Sequence, residues 1–129
     1  MELGKLDDIS FEIEDIQYSG SIEESPIEQK LIEEFGYKKP EFLNEKKYEA
    51  SWMISDNNLY LGYVNGYINY QRFYTLDILP FQSNTEILIF YHWFCGDLKV
   101  FYNKNEPRSL AYNAEITFVV EHGVVVTIK

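Results

Sequence analysis

Residues 47–71 read KYEASWMISDNNLYLGYVNGYINYQ, and apolar and polar side chains alternate through most of this stretch. Alternation with a period of two is typical of half-buried β-strands. Two polar breaks interrupt the alternation, at Asn57-Asn58 and at Asn65-Gly66. Asn-Gly favours a type I′ turn, because both of its residues tolerate positive φ. The stretch therefore predicts a three-stranded antiparallel meander.

The two turns also predict which side chains of the meander form the core. Two-residue loops at both breaks give registers that agree with each other, and agreement between independent signals strengthens an assignment. The predicted core face consists of Trp52, Ile54, Leu61, Tyr63, Ile68 and Tyr70. Tyr60, Tyr67 and Tyr74 fall on or near the opposite face. Tyrosines there either cover the sheet or contact a partner, and both alternatives stay open.

Further strands are predicted on both sides of the meander. Residues 9–18 begin as an alternating strand whose phase slips near Asp15, which indicates a bulge or an early end. Residues 72–81 alternate again. Residues 86–102 contain too many apolar side chains for a half-exposed strand. They predict a central strand covered on both faces, with a bend or bulge at Gly96.

The last sixteen residues, 114–129, predict a closing hairpin with two possible loops. A two-residue loop at His122-Gly123 places Val120 opposite Val125. A three-residue loop that adds Glu121 gathers more apolar side chains on one face and gives Gly123 the left-handed conformation of a bulge. We therefore expect the three-residue loop.

Residues 25–40, SPIEQKLIEEFGYKKP, predict the one clear helix, over about 26–35. Ser25 is a favourable N-cap, and Glu28 completes a capping box. Gly36 ends the helix, and Pro40 prevents it from resuming. The helix has one apolar stripe that needs a sheet to dock on: Ile27, Leu31, Ile32 and Phe35.

These elements predict one domain over residues 1–129, of a size usual for a single core. The expected fold class is α+β and mostly β. It consists of a curved antiparallel sheet of about six to eight strands with one N-terminal helix at about 26–35.

Acidic residues are concentrated in the first quarter of the chain. The formal net charge is −10, and residues 1–34 hold eleven acids against two bases. We expect no binding to nucleic acid or to an anionic membrane, since phosphate binding needs a basic face. The excess suits a basic protein partner, but acids also keep an aromatic-rich protein soluble, and both explanations stay open.

The segment YHWFCG at 91–96 is the first place to look for a reactive or metal-binding site. In a strand, residues three apart point to opposite faces, so His92 and Cys95 are not expected to hydrogen-bond, and Cys95 is expected to be inert packing. A metal site would also need His122 and Asp97, whose spacing fits no known ligand pattern. No phosphate-binding, dinucleotide-binding, serine-nucleophile or zinc-protease motif is present. We expect no enzymatic activity, no metal and no cofactor.

Targeting features are also missing from the sequence as given. The segment MELGKLDD has no basic and apolar signal region, and no apolar stretch is long enough to cross a bilayer. A single cysteine fits a reducing compartment. The expected location is cytoplasmic.

Three short elements resemble those of a group of small uncharacterised bacterial proteins. They are W-M-I-x-x-x-x-L-Y-L at 52–61, W-F-C-G-D-L at 93–98 and Gly-Val-Val at 123–125. The match spans roughly 52–126 and leaves out 67–90 and 99–113. The resemblance implies a shared sheet with Gly96 at a strand bend, and it carries no activity.

By type, a small acidic chain without a catalytic motif is similar to immunity proteins of contact-dependent inhibition and other polymorphic toxin systems. Such proteins bind a cognate, usually basic, nuclease toxin and cover its active site. The resemblance implies a non-enzymatic binder whose acids steer encounter with the toxin and whose aromatics anchor it. The acidic contacts are then expected at Asp7, Asp8, Glu12, Glu14, Asp15, Glu23 and Glu24.

The alternative function is a small-molecule-binding β-rich domain. In that case, tyrosine and tryptophan side chains would line an apolar pocket inside the curved sheet.

Overall fold

The computed structural model describes residues 6–42, 45–68, 70–78 and 88–129, apart from the side chains of Leu76 and Ile78. In chain order, the elements of the described residues are β1 Asp7–Ile13, β2 Ile16–Ile22, α1 Glu28–Phe35, β3 Tyr48–Ser55, β4 Asn58–Ile68, β5 Gln71–Tyr74, α2 Thr75–Ile78, β6 Ile89–Phe90, β7 Gly96–Tyr102, β8 Ala114–Glu121 and β9 Val124–Ile128.

The strands form one curved sheet whose pairings close into a ring. The order around the ring is β3-β1-β2-β7-β8-β9-β4, and β4 pairs with β3 again. The contact between β4 and β9 is short, with Asn58 paired to Val124. Two backbone hydrogen bonds support it, from Leu59 N–H to the Gly123 carbonyl and from Val125 N–H to the Asn57 carbonyl, at 2.8 and 2.7 Å. β5 and β6 pair with β4 in addition.

The predicted fold class is confirmed: the chain is mostly β, with a curved sheet and a helix near the N-terminus. Two details differ from the expectation. The described residues form nine strands, and the sheet is mixed rather than antiparallel, because β1 and β3 lie side by side in parallel. α1 and the loop after it form the connection between β2 and β3.

The β3–β4 hairpin is present, but its turn lies one residue earlier than predicted. Asp56 and Asn57 have φ of 51° and 64°, which are the positive values that a type I′ turn requires. Ile54 therefore pairs with Leu59, and not with Leu61.

The predicted turn at Asn65-Gly66 is wrong, because β4 continues through it to Ile68. Gly66 lies opposite Tyr48, and a Cβ added there would come within 2.5 Å of the Tyr48 Cα. The glycine thus permits a close approach of two strands rather than a turn. The chain reverses after Ile68, which pairs with Gln71.

A β-bulge in β4 explains why the predicted core position of Tyr63 is wrong. Trp52 pairs with Leu61 but Ser51 pairs with Tyr63, so Gly62 is the extra residue. Leu61 and Val64 are therefore both buried, and Tyr63 points outward. Of the predicted set, Trp52, Ile54 and Leu61 are buried, Ile68 is half-buried, and Tyr63 and Tyr70 are exposed.

Residues 86–102 do not form the predicted central strand. Within the described part, β6 ends at Phe90, residues 91–95 form a loop, and β7 begins at Gly96. Gly96 has a φ of 152°, which residues with a Cβ rarely adopt, at the point where the loop meets the strand. The loop is fastened by the Tyr91 N–H, which donates to the Leu59 carbonyl, and by the Gly123 N–H, which donates to the Phe94 carbonyl. It therefore bridges β4 and the β8–β9 turn.

The closing hairpin has the two-residue loop rather than the expected three-residue one. His122 and Gly123 have φ of 48° and 80°, and Glu121 pairs with Val124. Two consecutive positive φ angles form a type I′ turn, which matches the twist of the flanking strands. The bulge that was expected at Gly123 lies instead at Val126, between the Val119–Thr127 and Val120–Val125 pairs.

The helix is confirmed, with a shorter start. α1 begins at Glu28, and Ile27 at its N-cap makes no side-chain capping bond, so the predicted Ser25 cap is wrong. Gly36 ends the helix with φ of 73°. Ile27 and Leu31 are buried, and Ile32 and Phe35 pack against the core, which confirms the apolar stripe.

The interior of the ring is packed with aromatic side chains. Phe11 of β1 contacts Tyr18, Tyr102 and Phe118 with ring centroids 5.3 to 5.7 Å apart. Tyr18 and Tyr102 contact each other edge to face at 5.2 Å. Offset and edge-to-face contacts of this kind add stability beyond the burial of their area.

A buried carboxylate joins β1 to β3. Asp7 is 2% exposed, and its two oxygens accept hydrogen bonds from Lys46 Nζ at 2.6 Å and from Trp52 Nε1 at 2.8 Å. Lys46 is itself buried and lies over the ring of Tyr48 at 4.5 Å. Burial raises the pKa of the Tyr48 hydroxyl well above its usual range, and the Asp7 and Glu28 carboxylates add to that rise.

Replacing Lys46 by Met tests this network. We expect the Lys46→Met variant to lose about 3–5 kcal/mol of unfolding free energy in urea denaturation, because it leaves the Asp7 carboxylate buried without its cation. The double variant Asp7→Asn, Lys46→Met should recover at least about 1 kcal/mol, because a neutral amide still accepts from Trp52. A single-variant loss below about 1 kcal/mol would contradict the buried pair.

The position of the β4–β5 turn can be tested at Tyr70. Its side chain is fully exposed and its φ is 68°, a strained value for a residue with a Cβ. We expect Tyr70→Gly to stabilise the chain by about 0.5–1 kcal/mol in the same assay. If the turn were at Asn65-Gly66, Tyr70 would lie in a strand and the same change would destabilise the protein.

Candidate protein-binding face

The seven acids predicted as partner contacts do not form one patch. Glu14 and Asp15 form the β1–β2 turn, with φ of 50° and 67°. At the other end of this hairpin, Asp7 pairs with Ile22, six pairs away from the turn and so about 20 Å along the strands. Glu23 and Glu24 follow directly after that end.

Asp7 is the one member of the predicted set that cannot meet a partner. Its carboxylate is buried in the pair with Lys46, as described above. The prediction for Asp7 is therefore wrong, because strand alternation turns this residue inward with Ile9 and Phe11.

Asp8 and Glu12 lie on the outside of β1, and both are exposed. Among the ion pairs between described residues, none involves Asp8, Glu12, Glu14 or Asp15. Glu23 differs, because its carboxylate lies 3.8 Å from Lys99 Nζ. Glu24, at the other end of the hairpin, is likewise exposed and is in none of these ion pairs. Of the predicted set, the exposed acids outside any of these ion pairs are thus Asp8, Glu12, Glu14, Asp15 and Glu24.

The acids of β1 border an aromatic surface on β3, β4, β5 and β6. The cross-strand pairs give its rows: Asp8 beside Ser51 beside Tyr63, and Glu49 beside Asn65 beside Tyr74. We call this surface the outer face and define it by Asp8, Glu12, Glu49, Met53, Tyr60, Tyr63, Tyr67, Arg72, Tyr74 and Phe90.

The aromatic rings of the outer face are open to solvent to different degrees. Tyr63 is 44% exposed, Tyr74 56% and Phe90 38%, whereas Tyr60 and Tyr67 are half-buried. Tyr60 and Phe90 contact each other at 6.1 Å. The expectation that Tyr60, Tyr67 and Tyr74 lie opposite the core is confirmed.

The Tyr63 hydroxyl lies in the electric field of carboxylates on β3 and β1. Its hydroxyl pKa is raised, first by partial burial and then by the Glu49 and Asp8 carboxylates. The side chain between Tyr63 and Asp8 is the small Ser51, which leaves the ring uncovered on that side. Sequence reasoning missed this residue as a surface group, because a bulge at Gly62 changes the alternation and no turn signal marks it.

Arg72 lies on two of the tyrosines of the outer face. Its guanidinium is 5.2 Å from the ring of Tyr67 and 5.4 Å from that of Tyr74. It also donates hydrogen bonds to the Tyr67 hydroxyl at 2.8 Å and to the Asn65 side-chain oxygen at 3.3 Å. The outer face therefore already holds one guanidinium by stacking and hydrogen bonding.

A second surface feature is a groove of about 670 Å³ between α1 and the loop at 91–97. Trp93 and Cys95 line it from the loop, and Lys30 and Glu33 from the helix. Lys30 Nζ lies 5.0 Å over the Trp93 ring, and His92 stacks on that ring at 3.9 Å. The groove is polar and open, unlike the apolar pocket inside the sheet that the alternative function requires.

Cys95 is exposed, which contradicts its expected role as buried packing. The strand alternation that was expected to separate His92 from Cys95 does not apply, because residues 91–95 form a loop. The histidine beside Cys95 is His122. Cys95 Sγ accepts from the His122 N–H at 3.2 Å and lies 3.7 Å from His122 Nδ1. No local pattern of residues predicts this contact, since it depends on the docking of the loop at 91–95 against the β8–β9 turn.

Within the described residues, no three side chains of His, Cys, Asp or Glu are grouped so that they could hold a metal ion. Neither helix in this part of the chain has the length or hydropathy to cross a bilayer.

Comparisons with protein-family models, with curated proteins and with solved structures found no match to this chain.

Proposed function

We propose that this chain is a non-enzymatic, immunity-type protein that binds and neutralises a basic, nuclease-like bacterial toxin. The observation that carries the proposal is the outer face, where carboxylates with no ion-pair partner among the described residues border exposed aromatic rings. Such a face combines the two parts of a tight and fast protein interface: charge that steers the encounter and aromatic anchors that hold the complex.

The carboxylates supply the steering. Asp8 and Glu12 lie on one strand, and Glu14 and Asp15 continue that line into the turn. Together with the net charge of −10, they give this side of the molecule a negative potential that attracts a basic protein at long range. Glu23 and Glu24, at the far end of the hairpin, contribute to the same field without belonging to the outer face.

The tyrosines supply the anchors. A tyrosine buries a large area while losing little side-chain entropy, and it keeps a hydroxyl for hydrogen bonding. Tyr63 and Tyr74 are the most exposed rings of the outer face. Each lies two strands from a carboxylate of its row: Tyr63 from Asp8 across Ser51, and Tyr74 from Glu49 across Asn65. The packed interior of the ring, by contrast, gives the small-molecule alternative no support.

Charge reversal on β1 tests the proposal. The immobilised chain is used to capture proteins from the source cells, and each captured protein is identified, purified and measured for direct binding. We expect a partner of positive net charge whose association rate falls between about 50 mM and about 500 mM NaCl, because salt screens steering. The double variant Asp8→Lys, Glu12→Lys should lower that rate by about tenfold or more.

A control with the same change in net charge is Glu115→Lys, Glu121→Lys on β8, across the ring from β1. Glu115 lies 3.2 Å from Lys99 Nζ at the surface, so thermal unfolding is measured beside binding to check that the control stays folded. It should lower the association rate much less. Equal effects of both variants, or a partner whose binding ignores salt, would contradict the proposal. If the partner is a toxin, co-expression of the wild-type chain should also restore the growth of cells that produce it.

A further inference from the structure

We infer that the outer face docks a basic segment of the partner with an arginine side chain lying on Tyr63, between Asp8 and Glu49. The inference rests on the proposed function and goes further, because it names the group that is recognised. It predicts a preference for guanidinium over ammonium at this position.

The first support is the arrangement of the three residues. Asp8, Ser51 and Tyr63 lie side by side on β1, β3 and β4, so the Cα atoms of Asp8 and Tyr63 are about 10 Å apart, two strand spacings. Glu49 lies two residues before Ser51 on the same side of β3. Carboxylates from two strands therefore flank one exposed aromatic ring across a small serine.

The second support is the chemistry of the two groups. A guanidinium is planar, stacks on aromatic faces and donates in parallel to carboxylate oxygens, whereas an ammonium is a strongly hydrated point charge. A site that offers an aromatic ring with carboxylates at its edge therefore suits a guanidinium better than an ammonium. No cation of the described residues lies over Tyr63.

The third support is the arginine that this chain places on the same face. Arg72 lies over Tyr67 and Tyr74 and donates to a hydroxyl and an amide oxygen. Tyr63 lies beside this cluster on β4, and there the flanking groups are carboxylates. The partner's arginine would thus repeat, with charge pairing added, a geometry that the outer face already shows.

A second copy of the chain is a poorer occupant than a basic partner. A symmetric contact would bring Asp8, Glu12 and Glu49 of one copy near the same acids of the other, and like charges across an interface oppose association. Charge complementarity therefore favours a partner whose contacting segment is basic.

Two peptides test the inference directly: acetylated and amidated GRGRGRGR and its lysine counterpart GKGKGKGK. Each is titrated into the full chain at low salt, and NMR shifts of the backbone amides give the site and the Kd. We expect the arginine peptide to bind about two- to fivefold more tightly, as a stacked guanidinium at an exposed ring implies. The largest shifts should cluster around Asp8, Glu49 and Tyr63.

Four variants separate the contribution of the Tyr63 ring, that of the carboxylates and general effects of removing a tyrosine. Tyr63→Ala should remove the arginine preference, and Tyr63→Phe should keep it. Tyr70→Ala, which removes an exposed tyrosine from the β4–β5 turn, should leave both affinities unchanged. Asp8→Asn with Glu49→Gln should weaken both peptides, because it removes the charge and keeps the ring.

Equal affinities of the two peptides for the wild-type chain would overturn the inference. So would an arginine preference that persists in Tyr63→Ala, or affinities that Asp8→Asn with Glu49→Gln leaves unchanged. These results differ from a failure of the proposed function. If a basic partner binds in a salt-dependent way but the two peptides bind equally, the inference fails and the proposed function stands. If the arginine peptide binds more tightly but no basic partner is found, the proposed function fails and the preference for arginine stands.

Discussion

The buried carboxylate of Asp7 is the constraint on which the closure of the sheet depends. It accepts hydrogen bonds from Lys46 Nζ and from Trp52 Nε1 at a site that is 2% exposed. An ionised group in such a place is tolerated only when its partners are held in position. Asp7 belongs to β1 and Trp52 to β3, so satisfying the carboxylate fixes the one parallel pair of the ring.

Parallel pairing of β1 with β3 has a consequence on the outside of the sheet. It brings the acidic strand of the N-terminal quarter next to the tyrosine-rich β4, with only β3 between them. Had β1 paired elsewhere, its exposed acids would lie far from the aromatic rings. The acids of β1 and the aromatic residues of the outer face, which are about fifty to eighty residues apart in sequence, therefore become one surface through a buried polar contact.

The fold class, the helix and the β3–β4 hairpin could be predicted from the sequence, because each depends on local patterns. Alternation identified Trp52, Ile54 and Leu61 as core, and the apolar stripe identified the buried side of α1. What failed were features that depend on distant neighbours. Asn65-Gly66 has the composition of a turn, but Gly66 lies within a strand, where its missing side chain allows the backbone of Tyr48 on β3 to come close. No local pattern marks the bulge at Gly62. The outward direction of the Tyr63 side chain, which depends on that bulge, was therefore not predicted.

The same reasoning explains why the acids were only partly predicted as a site. Composition shows that carboxylates are concentrated in the first quarter of the chain. Four of the predicted contacts there, Asp8, Glu12, Glu14 and Asp15, are exposed. Composition does not show that Asp7 turns inward, or that Glu23 lies near Lys99. Charge density alone gives a field, and a field steers many partners alike. Specific recognition needs carboxylates beside a ring at a fixed register, and only the folded sheet supplies that register.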